Sequence, residues 1–526
     1  MAAAPDGRRG RCCWRRARRF AVTALLAATA AVQLLPTGVL AARGPASWDD
    51  VSASSGISRD RSTRYGGVLV ADIDGDGFYD VLAPGHDVST VEVYWNNQNG
   101  KYTRGADLRP FLDDVHGFTA GDVDGDGDLE VIHAVGGGNG LTPFAPIFYG
   151  SAGRNLTPED VGLDVVGGRG RSPRLVDLDG DGDLDLIVVN YEVVTASNGD
   201  TARQHVFENT GGGNFVRRFD SGIDDVAVER LILTDADGDG RLDIVAYPFF
   251  RILLSTGDFS FRDATRELLW RIPSFGSRFI NVRAAAELDY DNDGRMDLYL
   301  AMGTRNDALL RNVGFGYEEV STAAGIPTGG NHQGVTVGDF NNDGHSDVFV
   351  VRAGPTRLPD LLLTANGAGG FTSSTTHGAT TAPDNGQGDM ATAYDSNRDG
   401  RLDLLVSSGQ DVGPPSTWGT LNLFQNNVAY TWDGRYFVVR VGRSPNGRAT
   451  ALGALLTLRT NDNGAQYIRR VGSAGGTFTQ SALDIVHFGV GWATWVDRLT
   501  VRWSDGSVVV QDNVGVTNRV IEVGLL

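Results

Sequence analysis

One nine-residue pattern, D-x-[DN]-x-D-G-x-x-[DE], returns seven times along this chain and constrains the fold more than any other feature. The copies begin at Asp72, Asp122, Asp177, Asp235, Asp289, Asp339 and Asp395. They read DIDGDGFYD, DVDGDGDLE, DLDGDGDLD, DADGDGRLD, DYDNDGRMD, DFNNDGHSD and DSNRDGRLD. Successive starts lie 50, 55, 58, 54, 50 and 56 residues apart. A near-constant period of this length marks a repeat architecture, in which each period is one supersecondary unit that buries its apolar face against its neighbours. The seven windows hold 28 of the 65 acidic residues, so the acidity is concentrated in fixed loops, unlike that of an evenly solvated surface.

The spacing carries a chemical reading. Carboxylates at positions 1, 3 and 5 of a tight loop converge on one point, and a glycine at position 6 permits the sharp turn. The carboxylate at position 9 closes the cage, and the carbonyl of position 7 can point inward. Hard oxygen donors in this number suit calcium better than magnesium. Four carboxylates held together without a cation repel one another, so a bound ion is expected to stabilise the fold by mass action. The candidate ligands are Asp72, Asp74, Asp76 and Asp80; Asp122, Asp124, Asp126 and Glu130; Asp177, Asp179, Asp181 and Asp185; Asp235, Asp237, Asp239 and Asp243; Asp289, Asp291, Asp293 and Asp297; Asp339, Asn341, Asp343 and Asp347; and Asp395, Asn397, Asp399 and Asp403. Up to seven structural Ca2+ ions are expected. Asn341 and Asn397 remove a carboxylate and predict weaker sites, whereas Asn292 falls at a non-ligand position.

An EF-hand begins similarly but needs a bidentate Glu at position 12 and flanking helices. Position 12 here is Ala83, His133, Val188, Ala246, Leu300, Val350 or Val406, none of which can serve. The flanks are short apolar runs, such as GVLVA from Gly67 before the first loop and LIVV, IVAY and VFVV after later ones, so each loop is expected to join two strands. A strand, Asn/Gly turn and aromatic follow in VYWNNQNGKY from Val93, VFENTGGGNF from Val206 and LLRNVGFGY from Leu309, which is a hairpin signature. Four strands per period make one propeller blade. The phrase WDDVSASSGI at Trp48 returns as YEEVSTAAGI at Tyr317. Its first copy precedes the first loop and is expected to supply the outer strand of the last blade.

Seven such repeats resemble the FG-GAP/VCBS calcium repeats of integrin α-type propellers over about residues 46–428. The resemblance implies a seven-bladed β-propeller whose loop carboxylates ligate calcium. From about Trp432 the acidic loops stop and half-buried strands alternate, with a hairpin turn at Asp505-Gly506. ALGA from Ala451, HFG from His487 with Gly491, Val496-Asp497, VRW from Val501 and Asp505-Gly506 together resemble the ASPIC/UnbV domain, so 432–526 is expected to be a small β-sandwich-like domain. The whole is an all-β chain. Repeats followed by this module resemble the cartilage acidic protein family, without the cysteine-bearing EGF-like module that its animal members carry. That family implies secretion, calcium binding and an adhesion or matrix role.

Residues 1–41 carry seven arginines, an apolar run from Phe20 and a small-residue cleavage site near Ala41, the layout of a secretory signal peptide. Cleavage predicts a secreted, extracellular protein with no membrane insertion; an uncleaved N-terminal anchor is the alternative. Both cysteines, Cys12 and Cys13, lie in that segment, so the exported chain is expected to be rigidified by something other than disulfides. Asn155-Leu156-Thr157 is a glycosylation sequon. The formal charge of −19 argues against nucleic acid as a partner, since phosphate binding needs a basic surface.

The chain has no G-x-S-x-G, H-E-x-x-H, P-loop or C-x-x-C motif. His487 sits in the HFG string, and His86, His116 and His332 lie near loops; a structural role is preferred for each. The glycine clusters at Gly136 to Gly138 and Gly211 to Gly213 read as turns. Trp418, Trp492 and Trp495 fit a sugar platform or core packing equally well. The expectation is therefore a non-enzymatic calcium-binding propeller acting as an adhesion, matrix or ligand-binding module, with an extracellular protein or glycan as partner. The alternative is a lectin or carbohydrate-active enzyme on the same propeller.

Overall fold

In the computed structural model the described residues are 46–525, apart from 58–65, 85–89, 109–114, 136–146, 160, 162, 164–169, 192–202, 273–280, 353–358, 381–386, 410–418, 429–433, 462–463, 473–474 and 477. The expectations for residues 1–41 with Cys12 and Cys13, for His86, for Gly136 to Gly138 and for Trp418 fall outside the described residues.

Each acidic loop joins the first two strands of a four-stranded antiparallel sheet, and among the described residues there are seven such blades. Blade 1 runs Leu69–Ala71, Asp80–Pro84, Val91–Asn96 and Tyr102–Arg104. The second strand of a blade is covered on both faces, which is why DLIVVN at Asp185–Asn190 is buried throughout. Blade 7 takes three strands from the end of the repeat array, Gln387–Tyr394, Asp403–Gly409 and Leu421–Asn426. Its fourth, Trp48–Asp50, comes from the start of the array and pairs antiparallel with Leu421–Asn426. This is the closure that the WDDVS phrase predicts. Trp48 is buried there, donates from Nε1 to the Leu402 carbonyl at 3.3 Å and meets the Phe340 ring edge-on at 5.4 Å.

Seven apolar clusters lie between neighbouring blades, one for each pair. The last, built from Val70, Val81 and Tyr94 of blade 1 with Tyr394, Leu405 and Leu423 of blade 7, completes the ring. Closure leaves no blade face uncovered, so the fold needs no disulfide to hold its ends together.

The C-terminal module packs a three-stranded sheet, Ile485–Gly491, Arg435–Val441 and Arg519–Val523, on a four-stranded one, Gln466–Arg470, Leu455–Thr460, Trp495–Arg502 and Val508–Val516. Phe437, Leu456, Phe488, Val501 and Trp503 fill the space between them. The turn at Asp505-Gly506 forms as its sequence predicts, with Gly506 at φ 78°. The parallel pairing of Arg435–Val441 with Arg519–Val523 has no local signal in the sequence.

Between Gln466–Arg470 and Ile485–Gly491, the described residues Gly475, Gly476 and 478–482 lie inside the propeller ring along the first strands of the blades. Their backbone bonds to three of those strands: Ala482 N–H to the Val70 carbonyl at 3.1 Å, Gln480 N–H to Phe118 at 2.9 Å and Gly476 N–H to Ala285 at 3.0 Å. Ser172 and Arg174 donate to the Phe478 carbonyl at 2.9 and 3.0 Å, and the Tyr247 hydroxyl donates to Gly476 at 2.6 Å. Phe478 is buried, with the Arg230 guanidinium 4.2 Å from its ring centroid. The close approach demands glycine at position 117, where a Cβ would lie 2.4 Å from the Phe478 carbonyl oxygen.

Candidate metal centres

The seven loops share one local geometry, which follows from their sequence. Position 6 is glycine with positive φ throughout, from 81° at Gly400 to 104° at Gly182. Position 4 is also left-handed, and there the residue is Gly in four loops and Asn292, Asn342 or Arg398 in the others. Two left-handed residues fold the loop back on itself, so backbone N–H groups point inward and orient the carboxylates. In the fifth loop Asp289 accepts from Asp293 and Gly294 at 3.0 Å each. In the third, Asp177 accepts from Gly180 and Gly182 at 2.8 and 3.1 Å, Asp179 from Asp181 at 3.1 Å and Asp181 from Asp183 at 2.9 Å.

Position 9 has a second task. One oxygen accepts from the N–H of position 2, and the other accepts from an N–H at the end of the third strand. Asp185 bonds Leu178 at 2.8 Å and Asn209 at 2.9 Å, Asp297 bonds Tyr290 and Asn312 at 3.1 and 2.7 Å, and Asp403 bonds Ser396 and Asn426 at 3.1 and 2.8 Å. The acid that closes the cage thus also fixes the loop to its blade. Sequence reading missed the asparagines at these strand ends. Asn96, Asn209 and Asn426 each extend Nδ2 to the position 2 carbonyl of the neighbouring blade's loop, at Ser396, Val123 and Phe340 respectively. Their signal is the Asn that ends the third strand in blades 1, 3, 5 and 7, at Asn96, Asn209, Asn312 and Asn426.

Three carboxylates gather with ligand oxygens within 4.8 Å of one another in five loops. They are Asp72, Asp74 and Asp80; Asp122, Asp124 and Glu130; Asp177, Asp179 and Asp185; Asp235, Asp237 and Asp239; and Asp289, Asp291 and Asp297. Asp76, Asp126, Asp181, Asp243 and Asp293 stand outside these groupings. Among the described residues the sixth and seventh loops bring together no such triplet, in keeping with amides at Asn341 and Asn397.

The electrostatics suit a cation. Burial pushes the position 9 carboxyls of Asp80, Glu130, Asp185, Asp297 and Asp403 up to about 8 and that of Asp243 to about 7. Burial, reinforced by neighbouring acids, raises Asp72 and Asp289 to about 6. Asp72 Oδ1 and Asp291 Oδ1 are buried with no hydrogen-bond donor, a costly state for a carboxylate oxygen unless an ion supplies the missing partner. Oxygen-only donors, clustered triplets and orphaned oxygens together fit a hard metal ion, and these acidic clusters could hold several.

The C-terminal module covers this loop face. Arg440 reaches Asp72 Oδ2 at 3.2 Å, Arg443 pairs with Asp122, and Arg470 pairs with Glu287 at 2.9 Å. His487 Nε2 lies 3.1 Å from the Gly400 carbonyl in the seventh loop, and burial lowers the imidazole to about 4. A Cβ at position 489 would lie 1.8 Å from Asp339 Oδ2, so only glycine fits against the sixth loop. His332 is buried against Asp307 at 2.7 Å, and His116 is buried with its ring 6.0 Å from that of Phe478. Trp492 and Trp495 are 42% and 37% exposed, whereas the buried tryptophan of the module is Trp503.

Comparison with known proteins agrees with this architecture. The FG-GAP-like repeat family matches residues 72–133, 177–246 and 289–350, and the ASPIC and UnbV family matches 442–522. The chain is 23% identical over 508 residues to cartilage acidic protein 1 of Xenopus tropicalis, covering 87% of this chain and 73% of that protein. It is 23% identical over 509 residues to the Homo sapiens protein of the same name, covering 87% and 71%. Among solved structures, an Agrocybe aegerita lectin that recognises non-reducing terminal N-acetylglucosamine aligns at a TM-score of 0.43 and 19% identity, over 70% of this chain and 96% of its own.

Proposed function

This chain carries FG-GAP-like repeats in a seven-bladed propeller followed by an ASPIC and UnbV domain, and from that premise we propose that it is a secreted calcium-binding protein whose ions are structural. The observation that carries the proposal is the carboxylate triplet repeated in five loops, with orphaned buried oxygens at Asp72 and Asp291. Calcium is the favoured ion because the donors are all oxygen and the loops are flexible in coordination number. Export is supported by the basic and apolar pattern of residues 1–41. Similarity to cartilage acidic protein 1 agrees with an extracellular role.

A binding role, in adhesion or ligand capture, is preferred to catalysis. The interior of the ring, where a propeller enzyme would place its substrate, holds the inserted segment around Phe478. The position 9 carboxylates are engaged by backbone N–H groups, which suits them to architecture more than to proton transfer. The partner surface is then the outside of the molecule, and the partner an extracellular protein or glycan. One observation favours the glycan: Trp270 and Phe315 are each 61% exposed, with the Arg271 guanidinium 4.8 and 5.2 Å from their ring centroids. Such a platform stacks on sugar faces.

Metal content of the purified protein, with melting curves in calcium and in chelator, tests the first part. Several bound calcium ions and a melting temperature raised by calcium are expected. Melts indifferent to chelator, with no calcium retained, would refute it.

A further inference from the structure

We propose that the C-terminal module sets the order in which the propeller loops take up cations, by lending arginines to some first-position carboxylates and withholding them from others. The proposal rests on reading the loops as calcium sites. It adds that the sites are unequal for a reason that lies in the other domain.

In the first three loops the carboxylate that meets the module is the first one. In the first loop, Arg440 bridges Asp72 Oδ2 and Asp484 Oδ2 at 3.2 Å each, while Arg154 from the hairpin of blade 2 holds Asp74 at 2.7 Å. In the second, Arg443 pairs with Asp122. In the third, the module presents the neutral Ser504 beside Asp177. Among the described residues no arginine forms an ion pair with Asp177, Asp179, Asp181 or Asp185. A neutral hydroxyl orients a carboxylate without spending its charge. A guanidinium is an internal counter-ion and repels a second cation bound to the same group.

At a separation of about 5 Å, one such like-charge contact lowers the affinity for a divalent cation by at least about tenfold, the value reached even at the dielectric of water. The third loop is therefore the first to fill, and the first and second fill late. Asp72 Oδ1, buried and without a donor, shows that Arg440 satisfies only half of its carboxylate. The first loop is thus still a site, with one oxygen free for an ion and the other held by the module.

Calcium titration by calorimetry on the demetallated protein tests the order, with three chains compared. In Arg440→Met/Arg443→Met, two sites should move to about tenfold tighter binding with the total number of ions unchanged. In Ser504→Arg, which alters an exposed position, one tight site should move about tenfold the other way. Melting curves report whether each variant folds, and Ser504→Arg carries the test alone if the double variant does not. Unchanged affinity classes in folded variants would overturn the ordering and leave the calcium sites standing. A wild-type protein that binds no calcium would overturn both.

Discussion

At the scale of single residues, the loops depend on groups that the acidic pattern does not advertise. Position 4 needs a left-handed backbone, which explains why it is filled by Gly or Asn in six of seven loops. The strand-end asparagines are the stronger case. Asn426 donates to the Phe340 and Leu402 carbonyls at 2.8 and 3.1 Å and accepts from Val428 at 3.0 Å, so one amide ties blade 7 to blade 6. Asn426→Leu keeps the volume, leaves the buried Phe340 carbonyl without this donor and leaves the Leu402 carbonyl with Trp48 Nε1 alone. It should destabilise the protein by about 2 kcal/mol in a denaturant melt; a loss below about 0.5 kcal/mol would show the bridge to be incidental.

At the scale of the loop, stability should depend on pH in a direction set by burial. Burial places the position 9 acids Asp80, Glu130, Asp185, Asp243, Asp297 and Asp403 at about 7 to 8 in the folded chain, above the ordinary carboxylate range of the unfolded one. Between about pH 4 and 8 the folded, metal-free chain therefore binds more protons than the unfolded one, so its stability falls as pH rises through that window. In chelator, the melting temperature should be lower at pH 8 than at pH 5.5. Calcium, which needs the deprotonated form, should flatten or reverse the slope. A chelated protein that gains stability from pH 5.5 to 8 would contradict the assignment. The nine-residue pattern made these loops legible, since the spacing alone requires the convergence. The double use of position 9 was not legible, because its second partner lies 12 to 24 residues away on another strand.

At the scale of the whole molecule, propeller and module share one interior. The inserted segment supplies hydrogen bonds to the first strands of several blades and buries Phe478 and Leu483 among them. A chain ending at Val428 would expose these inner strands to water. It should melt lower by more than about 5 °C and bind a hydrophobic dye that the full protein does not. Equal melting temperatures would show that the propeller stands without its insert.

The sequence by itself determined the repeat number, the strand content of each blade, the position of the acidic loops and the contribution of Trp48–Asp50 to the last blade. Strand content and loop position depend on hydrophobic alternation and turn chemistry, which operate within some ten residues, and the repeat number and the role of Trp48–Asp50 on phrases that recur along the chain. Tertiary structure alone decided which carboxylates meet in triplets, how the module sits on the loop face and that its segment fills the ring. Those outcomes come from contacts across hundreds of residues, such as Arg440 with Asp72 and Gln480 with Phe118. An arginine on a short β-strand looks like any solvated charge until the fold brings its carboxylate to it.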